Sequence, residues 1–405
     1  MITRGLIDGS KLGGYISSHF CLETWRGPPL KSLANTLSSA LLFRRQPGLL
    51  PQTLNLFVTA RCNARCEFCL YRHAVDNPTA RDTEMRLEEY EALARAYGPL
   101  HYLAVSGGEP FVREDLADIV QAFIDHCQVR VVDIPSNFTF TKAMRAVMDR
   151  LTAANPEVAF DLQLSLDDLG ERHDASRKVP GLFAKARESF RAMAELRERR
   201  PNLRIKGSTL YLPANAERLD EVLAELARTF AFDRMSVSYP QLLLPSGGDQ
   251  AVHADATAYA TRAERALAKA SPCRRRADLH VAGMLAVKGM YRRLLMEASS
   301  GARSTGGYCE AGRHMLVIDQ EGRVFPCEPL WHCIGNLRDT GCDPRPILAG
   351  KPYAEFRAAR LGPGKCNCTW SCAMHTAIAV TPGMMPELAI RGLGILARRL
   401  VGGAC

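Results

Sequence analysis

Three closely spaced cysteines, Cys62, Cys66 and Cys69, are the residues of this sequence best suited to chemistry. A closed structural zinc site takes four ligands, and no fourth cysteine lies near these three. Three thiolates would leave one position open on a bound metal or cluster, where a small molecule can bind and react. The alternatives are a zinc knuckle completed by His73 and surface thiols without a role. The ligand count favours a reactive metal or cluster site.

These cysteines follow the first of six short apolar runs that are typical of strands. The runs are 54–59, 101–106, 129–134, 159–166, 204–212 and 234–239. Amphipathic segments lie between them, and apolar residues recur at helical spacing over 116–124 and 219–230. Six successive strand-helix units predict an α/β fold with a parallel sheet, either an open doubly wound sheet or a partial barrel.

Polar motifs follow four of these predicted strands. The three-cysteine loop follows the first strand, and SGGEP (106–110), PSN (135–137) and SLDD (165–168) follow the next three. In folds of this kind, ligands bind at the carboxyl ends of the strands. We therefore expect a single site that is built from all four motifs.

The spacing Cys62-x3-Cys66-x2-Cys69, with Phe68 before the last cysteine, resembles the signature of the radical S-adenosylmethionine (radical SAM) superfamily. SGGEP and SLDD resemble the glycine-rich and ribose-contacting motifs of that family, so the resemblance covers residues 54–240. It implies that the three thiolates hold a 4Fe-4S cluster with one iron free to chelate S-adenosylmethionine. It also implies an enzyme that cleaves this cofactor reductively to a 5'-deoxyadenosyl radical, which abstracts hydrogen from a substrate.

The resemblance further implies which residues contact the cofactor. They are Phe68, Gly107, Gly108, Glu109, Asn137, Ser165, Asp167 and Arg177. The two glycines would let the backbone approach the methionine amino group, and Glu109 would anchor that turn or accept from the ammonium. Ser165 and Asp167 would bind the ribose, and Arg177 the carboxylate. Asp167 as a helix cap and Arg177 as a surface charge stay open as alternatives, and no catalytic residue is assigned.

A second group of cysteines lies near the end of the chain. Cys309 and Cys327 flank a predicted hairpin with its turn at 319–322. With Cys366, Cys368 and Cys372 they resemble the SPASM/twitch extension of radical SAM enzymes, which implies one auxiliary 4Fe-4S cluster, with two left open. The structural alternative is a zinc ribbon. Five thiols exceed what one cluster needs.

The other six cysteines fall into two sets. Cys333, Cys342 and Cys405 stay open as extra thiols for the second group, and Cys21, Cys127 and Cys273 are expected to be small buried apolar residues rather than ligands.

The resemblance and the changes in composition divide the chain into five segments. We expect an N-terminal extension (1–50), a partial (β/α)6 TIM-like barrel (51–240), a helical bridge (241–305), a small Cys-rich α+β iron-sulfur domain (306–380) and an amphipathic tail (381–405).

Composition describes an ordinary globular protein, with 47% hydrophobic and 23% charged residues. No secretory signal pattern opens the sequence and no run of apolar residues is long enough to span a membrane, so we expect a cytoplasmic protein. The net charge of +9 is modest, and with 7% aromatic residues and no RNA-binding motif it disfavours nucleic acid as a partner. Segments 33–50 and 385–405 combine apolar residues with arginine, which leaves peripheral membrane contact open beside docking on the protein's own core.

The substrate is not encoded in any of these motifs. We expect a small-molecule or lipid-like substrate, because the roughly 50 residues before the barrel are too few for a leader-peptide-binding domain. A peptide-modifying enzyme is the alternative, and a non-enzymatic metal-binding protein is a third hypothesis. The resemblance implies an electron donor of flavodoxin or ferredoxin type.

Overall fold

The computed structural model describes residues 50–240 except 78 and 80, 256–270, 279–300, and 306–400 except 367. The segments 1–49, 241–255 and 401–405 lie outside the described residues, as do Cys21, Cys273 and Cys405. All six predicted strands are present, as β1 (Thr53–Phe57), β2 (Tyr102–Ser106), β3 (Val131–Ser136), β4 (Ala159–Ser165), β5 (Leu203–Leu210) and β6 (Arg234–Ser238).

The described strands form one sheet in the order β6-β5-β4-β3-β2-β1-β7-β8-β9. Strands β1 to β6 pair in parallel throughout, which confirms the partial barrel. The later strands are β7 (Met315–Ile318), β8 (Arg323–Phe325) and β9 (Gly335–Asn336). β7 and β8 form the predicted hairpin, and β7 also pairs in parallel with β1, where Asn55 lies opposite Val317. The Cys-rich region is therefore joined to the barrel through its sheet.

Helices connect the parallel strands. They are α1 (Arg72–Val75), α2 (Leu87–Tyr97), α3 (Leu116–Cys127), α4 (Thr141–Ala154), α5 (Gly170–Arg177), α6 (Leu182–Arg199), α7 (Pro213–Ala216) and α8 (Leu219–Thr229). The apolar stripes predicted over 116–124 and 219–230 lie on α3 and α8, and Leu116, Phe123 and Leu223 are fully buried there. This packing fixes the barrel from outside.

Six further helices belong to the C-terminal part. They are α9 (Ala256–Ala270), α10 (Leu279–Ser299), α11 (Pro344–Ala349), α12 (Lys351–Arg360), α13 (Ser371–Val380) and α14 (Met385–Leu400). α9 packs on α8 and β6, while α10 packs on α13 and α14. In the part of the chain that the structure describes, no helix is both long enough and apolar enough to cross a bilayer.

The inside of the barrel carries a buried charge network. The strand register sets Asp133, Asp161 and Arg204 side by side, and Lys206 Nζ lies 3.0 Å from Asp133 and 2.5 Å from Asp161. Burial alone would raise the pKa of Asp161, but the neighbouring cations outweigh it and lower this pKa to about 2. Because an unpaired charge is costly in the interior, these pairs hold β3, β4 and β5 in register beneath the site.

Candidate functional site

The three-cysteine loop lies between β1 and α1, and hydrogen bonds from its own backbone N–H groups stabilise its conformation. Cys69 N donates to Cys66 O at 3.2 Å, and Ala64 N donates to the Cys62 sulfur at 3.4 Å. Cys66 is buried and the other two thiols are half-buried. Burial raises the pKa of Cys62 to about 12 and that of Cys69 to about 11. Such thiols become thiolates only beside added positive charge, as a metal cluster provides.

The glycine-rich turn after β2 packs directly on this loop. Gly108 N donates to Thr59 O at 2.7 Å and Glu109 N donates to Arg61 O at 2.8 Å. A Cβ on Gly107 would lie 2.3 Å from Thr59 O, and one on Gly108 would lie 2.3 Å from Arg61 O. The glycines are therefore needed for close approach to the chain's own backbone, and their expected contact with a cofactor stays a prediction.

Glu109 joins the second and third motifs. Its carboxylate accepts from Ser136 Oγ at 2.9 Å, from Asn137 N at 2.8 Å and from Phe111 N at 3.3 Å. Burial raises the pKa of Glu109 to about 7, and these donors oppose that rise. Through these contacts Glu109 joins the glycine-rich turn to the motif after β3, in agreement with the anchoring role expected for it.

A second group of charged side chains packs behind the cysteine loop and stabilises it. Arg61 pairs with Glu84 at 3.0 Å. The buried Arg113 donates to Val58 O at 2.8 Å and to Met85 O at 2.7 Å. No motif or spacing marks these residues, because their role depends on contacts between distant segments.

Asp167 and Arg177 form a buried pair next to the loop. Arg177 Nη2 lies 2.7 Å from Asp167 Oδ2, and its Nε donates to the same oxygen at 2.9 Å. The other Asp167 oxygen accepts from Leu210 N at 3.1 Å. The guanidinium lies 5.7 Å from the centre of the Phe68 ring. The carboxylate of Asp167 is thus engaged by protein donors, so its predicted ribose contact stays a prediction.

These elements line a cavity of about 650 Å³ that is open to solvent. Nine of the predicted residues line it, namely Cys62, Cys66, Phe68, Cys69, Gly108, Glu109, Asn137, Ser165 and Arg177. Gly107 and Asp167 lie behind this wall, at the contacts just described. Ser106, Arg72 and Ser136 also line the cavity and were not singled out, although both serines stand at strand ends. The four predicted motifs therefore meet at one site.

A second cavity, of about 710 Å³, lies beside the edge strand β6. Its wall includes Ser236 and Ser238 of β6, Tyr259 and Glu264 of α9, Lys288, Tyr291 and Arg292 of α10, and Ser371 and His375 of α13. The strand register places Ser165, Ser208 and Ser236 in one row across β4, β5 and β6. Ser165 lines the first cavity and Ser236 lines the second, so β5 alone separates the strands that carry these two residues. No sequence motif marks this region as a site.

The second group of cysteines is assembled from three separate segments. Cys309 precedes β7, Cys327 follows β8, and Cys366 and Cys368 lie in the loop before α13. As thiolates, Cys309, Cys327 and Cys366 each raise the pKa of at least one other thiol of this group, and all three raise that of Cys368. Burial, the larger cause, raises the pKa of Cys327 to about 12 and that of Cys309 to about 11. The fifth predicted thiol, Cys372, is the second residue of α13.

The remaining cysteine and histidine predictions have clear positions. Cys127 is fully buried and its sulfur donates to Ala94 O at 3.1 Å, which confirms it as an interior residue. His73 packs its ring 5.0 Å from Trp331 and 5.4 Å from Tyr71. Among the described residues no three His, Cys, Asp or Glu side chains are placed to hold a single metal ion. In an iron-sulfur cluster the cysteine ligands bind different irons.

Family comparisons agree with both regions. The model described as Radical SAM superfamily matches residues 56–226, and the model described as SPASM, an iron-sulfur cluster-binding domain, matches residues 309–373. The two matches fall inside the segments 51–240 and 306–380, whose exact limits stay predictions.

Curated relatives share parts of the chain. A probable GTP 3',8-cyclase of Methanothermobacter thermautotrophicus is 31% identical over 27% of this chain and 35% of its own length. The PqqA peptide cyclase of Methylobacterium nodulans is 28% identical over 69% of this chain and 67% of its own length. The AdoMet-dependent heme synthase of Methanosarcina barkeri is 24% identical over 71% of this chain and 80% of its own length. The chain spans about a third of the length of the relatives matched over the shorter segment.

Solved structures share the fold. Native anSMEcpe with bound AdoMet has a TM-score of 0.54 at 15% identity, covering 85% of this chain and 100% of that one. The same protein with bound AdoMet and Cp18Cys peptide has a TM-score of 0.51 at 15% identity, covering 85% and 99%. At this identity the likeness establishes the architecture.

Proposed function

This chain belongs to the radical SAM superfamily and carries a SPASM iron-sulfur domain, and from that premise we propose that it is an enzyme that modifies a peptide at an unactivated C–H bond. The observation that carries the proposal is the single cavity shared by the three cysteines and the motifs after β2, β3 and β4. An open pocket lined by thiols and polar groups can admit a polar ligand beside a cluster.

The residues present fit a 4Fe-4S cluster with S-adenosylmethionine. Three thiols line a cavity and leave room for a further ligand, and two cations, Arg177 and Arg72, lower the pKa of Cys66 against the rise caused by burial. When bound and reduced, this pair of cofactors supplies a 5'-deoxyadenosyl radical that removes hydrogen from a substrate.

The chain's own residues would bind and orient the cofactor. Asp167 fixes the Arg177 guanidinium at the cavity wall, where it can pair with the methionine carboxylate. Ser165 offers a hydroxyl for the ribose. Glu109 keeps the glycine turn and Asn137 together, so that backbone groups of the turn face the amino end of the cofactor.

The second cavity is where we place the substrate. Its wall is shared by the barrel strand β6 and by α13 of the SPASM region, and the strand register places Ser236 of this wall two strands from Ser165 of the first cavity. This position would let a peptide side chain approach the site of radical formation. The auxiliary cluster would be held by Cys309, Cys327, Cys366 and Cys368, of which the last two directly precede α13. An auxiliary cluster can accept an electron from the substrate.

Peptide is preferred over the small-molecule or lipid-like substrate first expected. The PqqA peptide cyclase aligns over two thirds of its length, and a structure of like fold was solved with a peptide. The small-molecule hypothesis keeps one supporting observation, since the heme synthase aligns over 80% of its length. A flavodoxin or ferredoxin is the proposed electron donor.

The test is anaerobic reconstitution followed by reduction and mass spectrometry. We expect iron, sulfide and 5'-deoxyadenosine to be detected, and a mass change in a short peptide encoded beside this gene. A mass change confined to a porphyrin or other small metabolite would transfer the proposal to the second hypothesis. Zinc without iron in the reconstituted protein would overturn both.

A further inference from the structure

Gln163 is a buried polar residue of β4, and its side chain is 7% exposed. Within the part of the chain that the structure describes, no group donates a hydrogen bond to its Oε1 atom, which is covered from solvent. A buried acceptor without a donor costs folding free energy, and the large majority of such atoms in proteins have a partner. This exception in the barrel therefore needs a physical explanation.

The strand register places Gln163 beside the wall of the first cavity. Pro135 of β3 lies opposite Gln163, and Ser165 lies two residues further along β4. Both of these residues line the first cavity. Side chains at alternate positions of a strand point to the same face of the sheet, so Gln163 shares the inner face of β4 with Ser165. Its amide lies one row deeper in the barrel than the Ser165 hydroxyl.

The charged residue on the other side of Gln163 is already paired. Lys206 of β5 lies opposite Gln163 in the register. Its Nζ lies 3.0 Å from a carboxylate oxygen of Asp133 and 2.5 Å from one of Asp161. The ammonium is thus engaged by two carboxylates. Because the glutamine amide is uncharged and stands next to a cation, it suits an uncharged N–H or O–H donor better than a second ammonium.

We propose that Gln163 accepts a hydrogen bond from an uncharged N–H or O–H group of a ligand that enters the first cavity. The inference rests on the proposed function, which supplies two ligands with such groups. They are S-adenosylmethionine, through its ribose hydroxyls, and a peptide, through its backbone amides. The terminal torsion of a glutamine side chain is broad, so the amide can turn its oxygen toward the cavity while the rest of the side chain stays in place.

The substitution Gln163→Met tests the proposal, because methionine fills a similar volume and removes the acceptor. In the reconstituted full chain without S-adenosylmethionine, this change removes only an unpartnered polar atom, so the melting temperature should stay equal or rise. The affinity for the ligand should fall about tenfold, the effect of one lost hydrogen bond. Gln121→Met is the matched control, since Gln121 and Asn155 exchange hydrogen bonds of 2.9 and 3.2 Å. It should lower the melting temperature and leave ligand affinity unchanged.

Two readouts identify the ligand. Equilibrium dialysis measures the binding of S-adenosylmethionine, and an affinity about tenfold weaker in Gln163→Met would assign the donor to the cofactor. Mass spectrometry measures conversion of the short peptide encoded beside this gene. An about tenfold loss of conversion, with cofactor binding and release of 5'-deoxyadenosine unchanged, would assign the donor to the substrate.

Two results would overturn the inference alone. One is a Gln163→Met protein that equals the unsubstituted protein in both readouts, and the other is a lowered melting temperature like that of Gln121→Met, which would give the amide a structural role. An unsubstituted protein that neither binds S-adenosylmethionine nor releases 5'-deoxyadenosine would contradict the proposed function, and this inference with it.

Discussion

The two cysteine sites of this molecule are built in different ways. The first takes Cys62, Cys66 and Cys69 from eight consecutive residues of one loop. The second takes Cys309, Cys327, Cys366 and Cys368 from segments on either side of a hairpin and from a distant loop. A local motif needs only one turn of backbone, whereas the second site exists only once β7 has paired with β1 and β8.

The difference in ligand number corresponds to a difference in access. Three thiols line a cavity at the first site, while at the second site we propose Cys309, Cys327, Cys366 and Cys368 as a complete ligand set. A cluster with a free iron can bind a reactant, and one with four cysteines is suited to electron transfer. We therefore assign the bond-breaking step to the first site and an electron-accepting role to the second.

The largest expected effect comes from removing one of the three cavity thiols. Cys66→Ala should reduce 5'-deoxyadenosine formation by more than about 100-fold, because loss of a direct ligand exceeds the effect of an outer-shell change. The assay is liquid chromatography after anaerobic reduction. Cys127→Ala is the matched control, since Cys127 is a buried thiol with a backbone partner away from the cavity and should keep full cleavage. Equal losses in the two variants would contradict the assignment.

The next largest effect is expected from a change in the glycine-rich turn after β2. Gly108→Ala places a Cβ against Arg61 O, so we expect the free energy of unfolding to fall by about 3 kcal/mol or less and iron loading to decrease. Gly283→Ala in α10 is the control, because a Cβ there meets nothing within 4 Å and alanine favours a helix. Thermal unfolding and iron analysis measure both. Normal iron content in Gly108→Ala would show that the cysteine loop can bind iron without the native packing of the glycine-rich turn.

A smaller effect should follow from loosening Arg177. Asp167→Asn removes the negative partner of this guanidinium, and we expect S-adenosylmethionine to bind about tenfold more weakly, the cost of a weakened charged hydrogen bond. Equilibrium dialysis measures the binding. Asp168→Asn is the neighbouring control, because Asp168 pairs with Arg218, at 3.1 Å, outside the cavity wall. If both variants bind alike, Arg177 does not contact the cofactor.

Much of the architecture was predictable from local sequence. Strand and helix periodicity indicated β1 to β6, and the cysteine spacing with the polar motifs after the strands indicated the first site. These signals work because parallel strands bring their carboxyl ends to one edge. The sequence did not indicate roles that depend on contacts formed only in the folded chain. Examples are the hydrogen bond from Arg113 to Val58 O, the ion pair of Asp167 with Arg177, and the pairing of β7 with β1.

The ligand set of the second site shows the same limit. Spacing alone gave five candidate thiols for four positions and could not rank them. In the structure Cys309 and Cys327 lie on either side of the β7–β8 hairpin, and the thiolate of Cys366 raises the pKa of both, which favours a set of four with Cys368. The fifth, Cys372, lies in the first turn of α13, where Ser371 and His375 line the second cavity.

The smallest expected effect is therefore that of Cys372→Ala. Four thiolates suffice for one cluster, so iron content and the electron paramagnetic resonance spectrum of the reduced auxiliary cluster should be unchanged. Cys327→Ala is the contrasting variant, and it should lose that signal and stop product formation while uncoupled cleavage of S-adenosylmethionine continues. Loss of the auxiliary signal in Cys372→Ala would instead make this thiol a ligand, and would imply either a different set of four or a second cluster beside α13. That outcome would place a metal site against the wall of the second cavity, and so would tie the second cysteine site to substrate binding as well as to electron transfer.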